Sequence, residues 1–350
     1  MNPEGLTMKK SNLTLKVLFC LVLLQVAVEN AHAQRMRIGS LEYFGTKDID
    51  VEKVKRSLSA HEGEEMNLES VPDLITQIRA AVKTSIGAEP TDVAPICCDI
   101  HDRWILYIGL PGKNSRTLTY NASPQGTIHF PPDVITLYRE TMGILMESVH
   151  AQSREDRTKG YALSSYPPLR AKQLAMREYA VTHAGLIHQV LNNSKDTEQR
   201  VVASHLLGYA VHNNLQIRSL VHASRDSDDG VRNNAVRALA VLAESNPVIA
   251  RKIPAEGFVE MLNSDVWSDR NKGGALIGML TIPRDPRLLR LLRARALDSL
   301  LEMAVWRNYG HAESSRFILG RVAGIPEGSL SQVAKENVQL ILKEFERRND

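Results

Sequence analysis

The sequence predicts a mostly α-helical protein in which a small α+β module is followed by a stack of helical repeats. Three observations lead there. Four stretches of the second half, "EQRVVASHLLGYAV" from Glu198, "GVRNNAVRALAVLA" from Gly230, "DRNKGGALIGML" from Asp269 and "AESSRFILGRVAG" from Ala312, align on a large apolar residue followed by glycine or alanine. Such self-similarity marks a repeated unit. The first half instead carries short alternating runs between two stretches of helical spacing. The 350 residues are 43% hydrophobic and 5% aromatic, enough apolar material for a core in two units. With 43 basic against 40 acidic residues the net charge is +3. No overall field draws the chain to nucleic acid or anionic lipid, so a charged partner is recognised locally.

Residues 1–33 read as an export signal. Lys9, Lys10 and Lys16 lead into and begin an apolar stretch, Val17 to Val28, too short to span a bilayer as an ordinary helix, and Ala31-His32-Ala33 before Gln34 fits a small-residue cleavage site. The mature chain is therefore expected to be periplasmic or secreted, cleaved after Ala33, with no transmembrane span. Cys20 leaves with the signal. The remaining Cys97 and Cys98 are neighbours, and bridged residues ordinarily lie farther apart, which excludes a disulfide framework and places the two on opposite faces of a strand.

Residues 34–112 form the small module. Ile38, Leu41 and Tyr43 open it as a strand; Ile49, Val51, Val54 and Leu58 recur at a helical turn, Gly63 breaks the run, and Leu68, Val71, Leu74, Ile75, Ile78 and Val82 rebuild it. "DVAPICCDI" and "RWILYIGL" supply two further strands. The order strand, helix, helix, strand, strand makes one sheet covered by a helical layer. With "LEYFG" closing the first strand and "HEGEEMN" between the helices, it resembles a POTRA-type module of bacterial envelope proteins. The resemblance implies protein binding by strand addition at a sheet edge, without catalysis. No barrel segment follows the module here, which sets an outer-membrane assembly role aside.

Residues 113–160 read as a hairpin, a helix and a charged connector. "RTLTYNASPQGTIHF" has two alternating runs around a turn at Ser123 to Gly126. "PPDVITLYRETMGILMESV" opens with proline and carries Val134, Leu137, Tyr138, Ile144, Leu145 and Val149 as a helical stripe, with Met142 and Met146 filling core. "SREDRTKG" is a solvated charged loop, in which Arg154 and Arg157 flank Glu155-Asp156 and argue against an acid pair for catalysis.

Residues 161–346 hold the repeats. In "DSDDGVRNNAVRALAVLAESNP", Asp228 or Asp229 caps a helix, and Asn246-Pro247 caps and opens the next. Between them Val231, Ala235, Ala238, Leu239 and Leu242 form one apolar face, while Val236, Ala240, Val241 and Ala243 make much of another apolar. Such a helix needs neighbours on two sides, and copies of itself provide them. The anchor pairs Leu207-Gly208, Leu239-Ala240, Ile277-Gly278 and Leu319-Gly320 let adjoining backbones come close. Through D-x-D-D-x-V-R-x-x-A-x-x-A-L-A at Asp226 to Ala240, the unit resembles HEAT repeats, most like those of phycobilisome-lyase-like proteins. The resemblance implies an α-solenoid offering a curved surface to another macromolecule. Arg232 matches the family's arginine and reads as structural, bonding acidic residues of the neighbouring turn.

Candidate chemistry is sparse. His183 and His188 diverge on a helix, and His205 and His212 lie about two turns apart, too far for one ion; neither these nor His222 has metal-ligand spacing. There is no phosphate loop and no nucleophile elbow, and no cofactor or metal is expected. One local charge feature stands out in "RDPRLLRLLRARALDSLLEMAVW", where Arg284, Arg287, Arg290 and Arg293 recur every three residues among leucines. They are the candidate binding residues. Aromatics that would stack bases are not interleaved, which argues against nucleic acid. The reading is an exported, non-enzymatic scaffold that holds a protein partner along its helical surface. The first alternative is a lyase-like or other enzyme with a cleft between module and repeats. The second is an envelope-associated protein binding polyanions through the basic helix.

Overall fold

The computed structural model describes residues 35–346. The segment read as an export signal, with Cys20, lies outside them. The chain is mostly helical with one small sheet: β1 (Arg35–Phe44), β2 (Glu65–Asn67), β3 (Asp92–Ile96) and β4 (Trp104–Gly109), in the order β2-β1-β4-β3. β1 runs parallel to β4, and the two outer pairings are antiparallel. The short β2 between the two helices adds a strand to the expected order. It pairs after a turn in which Gly63 takes a positive φ of 86°, which a side chain resists.

Helices α1 (Val51–Ser57) and α2 (Val71–Ile86) cover one face of the sheet, against Ile38, Leu106 and Ile108. The other face, with Phe44, Ile105 and Tyr107, belongs to the core of the helical half. A strand covered on both sides reads as a continuous apolar run, as "WILYIG" of β4 does. β3 lies at the edge, where Pro95 needs no ladder partner. Cys97 and Cys98 fall just beyond β3 and are bonded to each other rather than pointing to opposite faces of a strand, because the chain leaves the sheet after Ile96.

The helical half opens with α3 (Pro132–His150), the two-residue strands β5 (Glu155–Asp156) and β6 (Leu163–Ser164), then α4 (Pro167–Thr182) and α5 (Ala184–Asn193). It continues through α6 (Thr197–Leu207), α7 (Asn214–Ala223), α8 (Asp229–Ser245), α9 (Pro247–Ala250), α10 (Glu256–Met261) and α11 (Trp267–Leu280). α12 (Pro286–Arg295), α13 (Leu297–Ala304), α14 (Tyr309–Val322), α15 (Glu327–Glu336) and α16 (Val338–Glu346) complete it.

One row is formed by α6, α8, α11 and α14, each packed on the next, while α5 touches α7 and α10 touches α12 behind it. Leu207, Leu239, Ile277 and Leu319 are fully buried within these helices. The small residues beside them set the spacing. A Cβ on Gly208 would stand 3.1 Å from the Cβ of Ala238, and one on Gly278 would stand 3.8 Å from that of Ser314. Asp228 caps α8 by accepting from Val231 N at 3.0 Å, and Asn246 caps α9 by accepting from Val248 N at 2.8 Å.

Two expectations for residues 113–160 are corrected. Residues 116–130 form no hairpin; the segment is a strap laid across the turns that open the row helices. Arg116 N donates to Asn263 O at 2.8 Å, Asn121 N to Arg225 O at 2.7 Å and Gly126 N to Asn193 O at 2.8 Å. Its alternating polar groups meet those turns instead of each other. In α3, Val134 and Ile135 are buried, but Leu145, Met146 and Val149 are exposed because the C-terminal part of the helix outruns its cover.

At the fourth position of α6, α8 and α11 stands a buried arginine. Arg200 donates to Asp226 Oδ2 at 2.8 Å and to Ser194 O at 3.0 Å; Arg232 donates to Asp269 Oδ1 at 2.8 Å and to Asp226 O at 2.9 Å. Arg270 donates to Glu302 Oε1 at 2.9 Å, Ser264 O at 2.6 Å and Asn114 O at 2.8 Å. Each guanidinium ties the turn opening its own helix to a carboxylate farther along the chain. Breaking one buried pair leaves a charge unanswered. Asp269→Ala is expected to lower unfolding free energy by about 3–5 kcal/mol, against less than about 1 kcal/mol for Arg139→Ala, which removes the exposed pair with Glu198. Urea titration of the two variants checks this.

Candidate functional site

The four arginines read from the sequence do not line up. A step of three residues turns about 300° on a helix, so Arg287, Arg290 and Arg293 fan across roughly 120° of α12. Arg284 precedes the helix with a positive φ of 56°, and its guanidinium donates to Glu327 Oε2 at 3.0 Å and to the carbonyl of Ile325. It is a fastening between α12 and α15. Arg293 lies over the Phe345 ring at 5.7 Å. Arg287 and Arg290 are exposed and have no ion-pair partner among the described residues.

α12 borders two grooves, one along its N-terminal half and one at its C-terminal end. Asp285 caps it by accepting from Arg287 N at 2.8 Å, Pro286 starts its first turn, and Leu288 and Leu292 anchor it below. Beside the N-terminal half opens a groove of about 730 Å³ with Ile253, Pro254, Leu280, Pro283, Leu288 and Leu291 in its lining and Arg287 beside them. The neighbouring Val248 and Ile282 are each at least half exposed, at 54% and 50%. Arg251, Glu256, Asp285 and Arg287 share the lining with these apolar side chains, and an apolar pocket edged by charged groups that include arginine is the composition of a protein-binding surface. At the C-terminal end of α12 lies a polar groove that includes Arg293.

A second group of functional side chains follows the helix row. Tyr138 of α3 stacks edge-on against His205 of α6 with centroids 5.3 Å apart, and His205, Asn234 and Arg237 line one small cavity with Tyr209. Burial, with Arg237 nearby, pulls the His205 imidazole down to about 4. Burial also pushes the Tyr209 phenol up to about 12. Lys272 of α11, crowded by protein and facing Arg237 and Arg157, is pulled down to about 8. His311 of α14 meets the Tyr107 hydroxyl of β4 through Nδ1 at 2.7 Å, and burial pulls it to about 4. Residues 154–159 are exposed, as expected of a solvated charged loop, and within it the Glu155 carboxylate is clasped by Arg157 at 2.8 Å and by Arg237, which pins the β5–β6 turn onto the row.

The histidines weighed as ligands go separate ways. His183 stacks on Tyr179 at 4.2 Å, His188 meets Ser219 Oγ at 2.9 Å, and Asn121 Nδ2 donates to the carbonyl of His222 at 2.9 Å. Among the described residues no group of three or more His, Cys, Asp or Glu is placed to hold a metal ion, and no helix is long and apolar enough to cross a membrane. Lys272 and His311 went unnoticed in the sequence because each becomes distinctive only through burial by another element.

No family model and no curated protein matches the chain. Among solved structures, it is similar to one titled "Crystal Structure of Engineered Protein", at 15% identity and a TM-score of 0.37, over 51% of this chain and 87% of that one.

The two buried imidazoles set a pH dependence. Their folded values of about 4 lie below the ordinary 6.5, so the unfolded chain binds more protons in that window. Their contribution to stability is complete above about pH 6.5 and is lost as pH falls towards 4. The thermal unfolding midpoint is expected to drop between pH 7 and 4.5, and to drop less in His205→Gln. A His205→Gln curve parallel to that of the parent chain would remove His205 from this account.

Proposed function

We propose that this chain is an exported, non-enzymatic binding protein, in which HEAT-like repeats form an α-solenoid behind a POTRA-like module and hold a protein partner. The observation that supports it best is the groove beside α12. Its apolar side chains, the exposed Val248 and Ile282, and the exposed Arg287 in its lining suit a partner segment with apolar side chains next to a carboxylate. The close row of α6, α8, α11 and α14, with glycine at its contacts, supports the repeat reading.

The enzyme reading draws on one observation, Lys272. An amine pulled down to about 8 beside the sheet's contact with α14 is the kind of group that catalysis uses. Lys272 is not in the lining of the grooves described above, and the groove beside α12 is the observation that favours binding.

The test is affinity capture by a tagged chain beginning at Gln34, from the exported fraction of the native cell, beside Ile282→Asp/Arg287→Glu. A stoichiometric protein retained by the first and reduced about tenfold or more by the second is expected, a change of about 1.4 kcal/mol. Equal retention would move the surface away from α12, and recovery of a small molecule instead of a protein would favour the enzyme reading. Amino-terminal sequencing of the exported chain is expected to start at Gln34; an intact Met1 or Met8 start would defeat the export reading.

A further inference from the structure

The groove at the C-terminal end of α12 is chemically unlike the apolar one. About 720 Å³ in volume, it is lined by four basic side chains, Lys113, Arg116, Arg293 and Arg295, and by two acidic ones, Glu260 and Asp298. Both carboxylates are already engaged. Arg295 Nη1 donates to Glu260 at 3.0 Å, and Lys47 Nζ donates to Asp298 at 2.5 Å. Lys113 is paired with Asp48 at 2.7 Å. Arg116 and Arg293 are left without a carboxylate among the described residues, and the contact of Arg293 with the Phe345 ring keeps all of its hydrogen-bond donors available.

Arg116 is also held in place. Its N–H donates to Asn263 O at 2.8 Å and its carbonyl accepts from Asp265 N at 3.0 Å, so the strap cannot carry the side chain away without breaking both bonds. Two guanidiniums without a carboxylate thus line one groove, one carried by the anchored backbone of the strap and one by α12, and their donors suit a tetrahedral oxyanion. A guanidinium fork donates to two oxygens at once, which an ammonium does not.

We propose that this groove binds a phosphoryl group, with Arg116 and Arg293 as its two forks. A soluble phosphate ester and a phospholipid headgroup share that chemistry. The apolar groove, beside the N-terminal half of α12, shares no lining residue with it.

Calorimetric titration of the chain from Gln34 onward with inorganic pyrophosphate at low ionic strength tests the assignment, using Arg116→Gln, Arg293→Gln, Arg293→Lys and, as a charge-matched control on the exposed side of α7, Arg218→Gln. Loss of either fork is expected to weaken binding about tenfold or more, with Arg293→Lys also impaired and Arg218→Gln within about threefold. Flotation with phosphatidylglycerol vesicles, against phosphatidylcholine alone, identifies the source. Flotation lost in the same variants points to the headgroup, and pyrophosphate binding without flotation points to a soluble ester. Equal weakening in Arg218→Gln, full binding in Arg293→Lys, or binding of neither probe would overturn the proposal. Near-ultraviolet circular dichroism confirms that each variant remains folded.

Discussion

The buried line of arginines is the constraint on which the rest of the structure depends. Arg200, Arg232 and Arg270 are each almost wholly removed from solvent, and an isolated charge there would cost several kcal/mol. Each is tolerated because its donors are answered on two sides: by carbonyls of the turn just before its own helix and by a carboxylate from the next stretch of chain. A helix displaced along the row would strand both a cation and an anion. The pairs therefore act on register more than on net stability, since apolar packing alone would tolerate a range of helix positions.

The last carboxylate of the line joins the two halves of the molecule. Glu302 accepts from Arg270 and also from Gly45 N and Thr46 N at 2.8 Å each, where the chain leaves β1, and from Asn114 Nδ2 at 3.0 Å at the start of the strap. Around it Trp306 Nε1 donates to Tyr43 O at 3.1 Å and Arg307 donates to Glu42 at 2.9 Å. The sheet face opposite α1 and α2 is consequently an internal surface. Glu42 and Phe44, alternate residues of β1, meet Arg307 and Arg270 there.

The strap extends the same logic. It closes the open edge of the turns from which the buried arginines draw their carbonyls, and Tyr120 lies under the Arg232 guanidinium at 4.3 Å. Because these turns are occupied, the open grooves of the helical half lie elsewhere. α12 borders two of them, packing on its neighbours through Leu288 and Leu292 with one groove beside its N-terminal half and another at its C-terminal end. The two grooves differ in chemistry because one is floored by leucine and proline side chains and the other is walled by the strap.

By itself the sequence determined the local structure: the caps at Asp228 and Asn246, the spacing that makes each helix, the leucine–glycine anchors that bring the row together, and a structural role for Arg232. These are contacts within a few residues, or periodicities that any single helix displays. The aligned repeats also held a signal that passed unused, since Arg200, Arg232 and Arg270 each stand seven residues before an anchor, and Ala312 takes that place in the fourth unit. Only the tertiary structure decided what distant segments do to one another. Residues 116–130 have the alternation of a hairpin, but the turns of the repeats offer better-placed partners than the segment offers itself. Arg284, Arg287, Arg290 and Arg293 have one spacing and three fates, because Glu327 takes the first, solvent keeps the next two, and Phe345 meets the fourth. His205, Lys272 and His311 owe their altered ionisation to burial by helices, a turn and a sheet from elsewhere in the chain, and a one-dimensional pattern carries no measure of burial.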